Sequence, residues 1–337
     1  YEEAKKYYTE SITYNPKNFY LFDRLGVSNF FLDLYEEAEE NFIIHLKNQT
    51  KNWRTISSSA YYLSRIKTDT SKLSSELQNQ NLLGANILKI YNFLYKEDYD
   101  KGFELAFKVE EEGKTNGNIT MHIINQIQNE VPAPEQLFIK YIKYFSPSNQ
   151  VNWTIQRILR IVRGSEKQEK IKKELVETLD NVITSKIPQD KKPEYEKLLL
   201  DVKYFNPPEE TEEFLKEKIK DFYSVASKYV NTETSKNLLL EIATIYSYKL
   251  GEDEKAIEIL LPLVEKGNYK NADMELAKIY TKQKDYLKAL SLLEKTILQQ
   301  PKNEPAKMML AESFLNLGSY DKGIQILKEL ESSTKNT

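Results

Sequence analysis

Cysteine is absent from this 337-residue chain, which removes disulfides, thiolate metal ligands and thiol nucleophiles together. Histidine occurs only as His45 and His122. No metal-ligand spacing surrounds either, so both are expected to pack as structural side chains, and no metal or other cofactor is expected. Glycine is scarce, at 10 residues, which speaks against a large α/β enzyme, whose turns and phosphate loops consume it. A Gly-rich phosphate loop, a dinucleotide fingerprint and a nucleophile elbow are all missing. No apolar run approaches ~18 residues, so no segment reads as transmembrane. An excess of one charge is also lacking. The 48 basic and 51 acidic residues leave a net charge of -3, which argues against generic nucleic-acid binding. What is present is a hydrophobic fraction of 40% with 23 Tyr and 14 Phe, enough to bury a core and too much for a disordered chain.

The chain repeats itself. Leu276, Ala277, Tyr280, Tyr286, Ala289 and Leu293 recur 34 residues on as Leu310, Ala311, Phe314, Tyr320, Gly323 and Leu327. In the other direction the same shift gives Ile242, Ala243 and Tyr246, after which the register slips by one and the small residue is Ala256. Independently, Tyr1, Ala4, Tyr8 and Ser11 recur as Tyr35, Ala38, Phe42 and His45. Such a period suits a helix-turn-helix whose small residues let two backbones approach while Tyr, Phe and Leu fill the neighbouring holes. One hairpin cannot cover its own apolar face, so hairpins stack. Over about 236–331 and 1–52 the pattern resembles the tetratricopeptide repeat (TPR) family.

The resemblance implies an all-α fold, a right-handed superhelical solenoid of antiparallel hairpins. The expected organisation is TPR-like repeats over 1–113, irregular helical hairpins over 114–230, and TPR repeats over 231–337. In the middle segment, helices with apolar residues at three- and four-residue spacing are expected over 136–145, 153–162 and 170–183. They are punctuated by Asn116-Gly117, Pro132-Ala133-Pro134, Ser146-Pro147-Ser148, Gly164, Pro188, Pro193 and Pro207-Pro208. Tyr1–Asn15 matches a second helix without its first, which predicts that the polypeptide extends further N-terminally.

Members of the family bind peptides in a concave groove lined by first-helix positions. Carried over, these positions are Tyr20, Asp23, Val27, Phe30 and Phe31, then Arg54, Ser57, Tyr61, Ser64 and Arg65. Aromatics beside arginines suit a partner's anchor site. The alternative is that Phe30 or Phe31 packs between repeats, since Asn29 stands where a bulky residue belongs. A second groove would show Leu240, Tyr248, Met274, Lys278 and Met308, with Met274 and Met308 one repeat apart. The Lys/Asn carboxylate clamp of TPR co-chaperones is not reproduced at Leu240/Thr244, Met274/Lys278 or Met308/Glu312. Half of the six arginines, Arg157, Arg160 and Arg163, form a stripe at three-residue spacing. It suits an acidic partner, a lipid headgroup or nucleic acid, or else ion pairs with nearby glutamates.

Acidic runs such as Glu36-Glu37 sit at helix starts, where they favour the macrodipole, not catalysis. The expectation is a non-enzymatic scaffold that docks proteins or peptides, with a peptide-motif adaptor or a nucleic-acid-binding repeat protein as alternatives. The absent cysteine and the lysine-rich composition are compatible with a bacterial periplasmic assembly similar to the TPR proteins of a flagellar collar. A cytoplasmic setting is equally compatible.

Overall fold

The structure, a computed structural model, describes residues 1–49, 51–67, 69–113, 119–144, 150–266 and 269–334. The described residues are helical throughout, without a strand, and divide into two compact units at Lys186/Ile187.

The first unit, Tyr1–Lys186, begins with α1 (Glu2–Tyr14), α2 (Tyr20–Phe30) and α3 (Tyr35–Asn48). There follow α4 (Trp53–Ile66), the short α5 (Ser71–Leu77), α6 (Leu82–Tyr95) and α7 (Tyr99–Glu111). Then come α8 (Ile119–Ile127), α9 (Pro134–Tyr144), α10 (Gln150–Val162) and α11 (Gln168–Ser185). The hairpins α2/α3 and α6/α7 pack within themselves, while α4 touches α2, α6 and α8. The core holds Ala38, Phe42, Leu46, Ile56, Ala60 and Leu63, all without exposed surface. These are the small and bulky positions of the repeat pattern.

The second unit, Ile187–Thr337, runs α12 (Lys192–Lys203), α13 (Glu212–Lys228), α14 (Glu233–Thr244), α15 (Asp253–Glu265), α16 (Lys270–Lys282), α17 (Tyr286–Gln299), α18 (Glu304–Asn316) and α19 (Tyr320–Thr334). First helices α14, α16 and α18 touch in series, and second helices fill the gaps between them. Ala256, Leu260, Ala272, Leu276, Ala277, Ala289, Leu293 and Ala306 form the shared core. The alanines are the contact points that let neighbouring helices approach.

The hairpin turns follow one rule. Asp33, Glu97, Gly251, Lys284 and Gly318 each adopt positive φ after a first helix. The next amide then donates back across the helix end: Leu34 to Asn29 O, Asp98 to Phe93 O, Asp285 to Tyr280 O and Ser319 to Phe314 O. This is the Schellman ending. Three of the five left-handed positions are occupied by Asp, Glu and Lys, which is one reason the chain has so few glycines.

The one-residue slip before Ala256 has a structural cause. α14 continues into a π-helical turn, Ile245–Leu250, whose wider turns absorb the extra residue. Among the expected breakers, Pro132-Ala133 lies between α8 and α9, whose first residue is Pro134, and Pro207-Pro208 separates α12 from α13. Gly164, at φ 70, ends the segment after α10. Pro193 is instead a starter, within the first turn of α12, where its missing amide has no partner to lose. Asn116-Gly117, Ser146-Pro147-Ser148 and Phe145 lie outside the described residues.

Candidate functional site

The first-helix register carries a polar ladder through the first unit. Asp23, Ser57 and Tyr91 are spaced by 34, as are Val27, Tyr61 and Tyr95, and each series continues 35 residues later to Gln126 and Glu130. Ser57 Oγ and Tyr91 OH lie 2.8 Å apart, and Ser57 Oγ donates to Gln126 Oε1 at 3.3 Å. Tyr91 OH also donates to Gln126. One turn further along, Tyr61 OH and Tyr95 OH donate to the two oxygens of Glu130, each at 2.6 Å. Trp53 meets His122 edge-on at 5.4 Å. Three of these contacts, from Trp53, Ser57 and Tyr61, link α4 to residues 69 positions later, two repeats on. At Trp53, Ser57, Tyr61 and Tyr91 the surface expected to be an open groove is therefore covered by the chain's own α8 and the turn after it. Burial raises the phenol pKa values of Tyr61, Tyr91 and Tyr95, and for Tyr61 and Tyr95 the Glu130 carboxylate raises them further.

Towards α1 the surface is aromatic. Tyr62 lies at the centre, with ring centroids 4.9 Å from Phe30, 5.9 Å from Phe31, 5.8 Å from Phe42 and 4.9 Å from Tyr61. Tyr1 stacks on Phe31 at 4.6 Å. The guanidinium of Arg65 lies over Phe30 at 5.0 Å and over Tyr61 at 5.7 Å, and that of Arg24 over Tyr20 at 4.8 Å. Tyr20 and Phe31 are 41% and 44% exposed, and Arg54 and Arg65 are exposed too. Val27 and Phe30 are half-buried, so Phe30 packs between repeats.

Three of the expected groove residues need correction. Ser57 has no exposed surface, its hydroxyl lying against Tyr91 and Gln126. Tyr61 is buried, its ring against Tyr62 and its hydroxyl on Glu130. Asp23 has no exposed surface and accepts a hydrogen bond from Ser59 Oγ at 2.8 Å. Ser59 also lies 3.0 Å from His45 Nδ1.

An aspartate, a serine and a histidine in contact invite comparison with a nucleophile triad, but the order is wrong. Ser59 occupies the middle and spends its single proton on Asp23, so His45 Nδ1–H must donate to the serine and cannot act as its base. All three residues are buried, beyond reach of a substrate. Burial, and secondarily Arg24, lowers the His45 pKa to about 4, whereas burial raises that of Asp23. The cluster is a buried polar contact between helices, with Arg24 Nε 3.5 Å from the second Asp23 oxygen.

In the second unit Tyr248 and Met308 are exposed, while Leu240, Met274 and Lys278 are half-buried. Met274 and Leu240 pack on the core, and Lys278 bonds Glu275 at 2.5 Å. Lys282, one repeat after Tyr248, donates to Ser247 O at 2.8 Å and to Asp253 Oδ1 at 2.7 Å. It thereby pins the π-helical turn to the following hairpin.

Residues 280–337 match the tetratricopeptide repeat family model. This segment is similar to tetratricopeptide repeats. It covers α17–α19, and the same 34-residue spacing extends the TPR register back to α14. No curated protein matches the chain. Among solved structures the chain is similar to that of Naa15/Naa10 bound to HypK-THB, with 14% identity over 96% of this chain and 49% of that one and a TM-score of 0.42. It thus spans about half the length of that chain. It is also similar to the human IFIT1 dimer with PPP-AAAA, with 11% identity over 99% of this chain and 68% of that one and a TM-score of 0.28.

On α10, Arg157 is half-buried, its guanidinium 5.3 Å from the Trp153 ring and 5.7 Å from the Phe138 ring. Arg160, Arg163 and Trp153 are exposed. Arg157 thus faces two rings. Among the described residues no group of three His, Cys, Asp or Glu is placed to hold a metal, and no helix is long and apolar enough to cross a membrane.

The residues missed from the sequence are Tyr62, Tyr91, Tyr95, Gln126 and Glu130. All but Tyr62 lie on the 34- to 35-residue ladder, so extending the register through 82–131 would have found them.

Proposed function

We propose that this chain is a non-enzymatic interaction scaffold that docks protein or peptide partners on the first-helix faces of its stacked hairpins. The observation that carries this reading is the exposure of apolar anchors in the repeat register. These are Tyr20 and Phe31 in the first unit and Tyr248 and Met308 in the second, between 41% and 53% exposed, with Met308 inside the segment that matches the tetratricopeptide repeat model. Arg24 stacked on Tyr20 and Arg65 stacked on Phe30 supply the aromatic–guanidinium mixture that dominates protein hot spots.

The test uses the whole chain as bait in its native cell, with the variants Tyr20→Ala/Phe31→Ala and Tyr248→Ala/Met308→Ala beside the wild type. One pair is expected to lose a partner that the wild type retains, with helicity by circular dichroism unchanged. Retention of every partner by both pairs refutes the site assignment. A single lost partner favours a peptide-motif adaptor; several favour a scaffold. For the setting we propose a bacterial periplasmic assembly of the flagellar-collar type. Its support is compositional, the absent cysteine, and fractionation of the native cell tests it.

A further inference from the structure

α10 contains no aspartate or glutamate. Its buried side, which includes Ile155, Ile158 and Leu159, packs against α9 and α11. The opposite side is exposed, and Trp153 and Arg160, two turns apart, lie at its centre. Ile161 flanks them, and Arg163 follows at the helix end. Trp153 and Ile161 are 45% and 41% exposed. The Arg157 guanidinium lies over the rings of Trp153 and Phe138, which holds the indole at the surface. Arg160 has no ion pair among the described residues, so its charge faces solvent. Residues 157–173 carry seven basic side chains against two acidic ones, in a chain whose net charge is -3. Of the two acids, Glu169 is paired with Lys172 at 3.1 Å. From this combination we propose that the exposed side of α10 docks on the surface of an anionic lipid bilayer. Trp153 and Ile161 enter the interface, while Arg160 and Arg163 meet the lipid phosphates. The inference goes beyond the protein-docking reading, whose anchors are other residues.

An arginine face suits two kinds of polyanion, and the apolar residues decide between them. A single-stranded nucleic acid is held in a basic groove with successive aromatic platforms. α10 instead offers one exposed indole beside an aliphatic side chain, on the rounded surface of a helix. A bilayer takes tryptophan at the headgroup level, where the apolar ring and the indole N–H both find their surroundings. The guanidinium groups reach phosphate oxygens there, and Ile161 gains from the acyl boundary. With 13 residues, α10 is too short to cross the hydrocarbon and would lie along it. Each basic residue near an anionic surface strengthens partitioning about fivefold, and salt screens the attraction.

The test sediments the full chain with vesicles of phosphatidylglycerol and phosphatidylcholine in equal parts, and with vesicles of phosphatidylcholine alone. Binding to the first at low ionic strength, and not to the second, is expected. Arg160→Gln/Arg163→Gln is expected to weaken that binding about 25-fold. Lys17→Gln/Lys51→Gln removes the same charge at exposed positions elsewhere in the first unit and is expected to leave it nearly unchanged. The chain has two tryptophans, and Trp53 is only 7% exposed, so acrylamide quenches chiefly Trp153. Vesicle binding should shift that quenchable emission to the blue and shield it from acrylamide. No binding to the anionic vesicles, an equal loss in the two double variants, or binding that leaves Trp153 open to acrylamide overturns the proposal. So does tighter binding of a labelled oligouridylate than of the vesicles, which would assign the arginines to nucleic acid.

Discussion

At the scale of single residues, the buried Asp23–Ser59–His45 cluster sets a pH dependence. The folded-state pKa of His45 is depressed from 6.5 to about 4, so between those values the unfolded chain binds the extra proton. The stability contributed by neutral His45 is complete above about pH 6.5 and is lost as pH falls towards 4, on the order of 3 kcal/mol at most. Asp23 acts in the opposite sense. Its pKa is raised above 3.8, so its contribution is present at low pH and lost as pH rises through the folded value. Comparing wild type with His45→Asn, which keeps Asp23, isolates the histidine. Thermal melts should show the wild type losing more stability than the variant between pH 6.5 and 4; parallel curves would show that His45 does not titrate against folding. That His45 is structural was legible from its lone occurrence at a repeat packing position. Its partners were not, because Asp23 and Ser59 lie on different helices and only packing brings them together.

At the scale of elements, close approach and turn chemistry decide what each hairpin tolerates. A Cβ on Gly26 would sit 2.6 Å from Phe42 Cε1, and Phe42 is fully buried against Tyr62, so the ring has nowhere to go. Gly26→Ala should therefore destabilise by about 1–2 kcal/mol, because overpacking outweighs the gain in helix propensity. A lower urea midpoint with an unchanged slope is the expected result. Lys284 is the converse case. At φ 64 it bears the left-handed strain that glycine at the equivalent Gly318 avoids, so Lys284→Gly should stabilise by about 0.5 kcal/mol. A loss of stability would mean that the lysine side chain makes up for its backbone. The π-helical turn belongs to this scale too. The slip at Ala256 was visible as arithmetic, but whether the extra residue would enter a loop or a helix depended on how Lys282 and Asp253 grip Ser247.

At the scale of the whole molecule, stacked hairpins have no single core, and each repeat relies on its neighbours. The boundary at Lys186/Ile187 falls inside the segment 114–230, which reads from sequence as irregular hairpins. Residues 187–337 enclose their own core around Ala277 and Leu293 and are expected to fold alone. Circular dichroism and a cooperative melt of that fragment test this, and a random-coil spectrum would refute it. The helical repeat, its 34-residue period and the small-residue contact points were determined by the sequence alone, because they depend on spacing within one or two hairpins. Which faces stay open was decided only by the tertiary structure. The contacts that cover α4 join residues 69 apart, and that meeting depends on how two successive repeats turn, a quantity no local pattern carries.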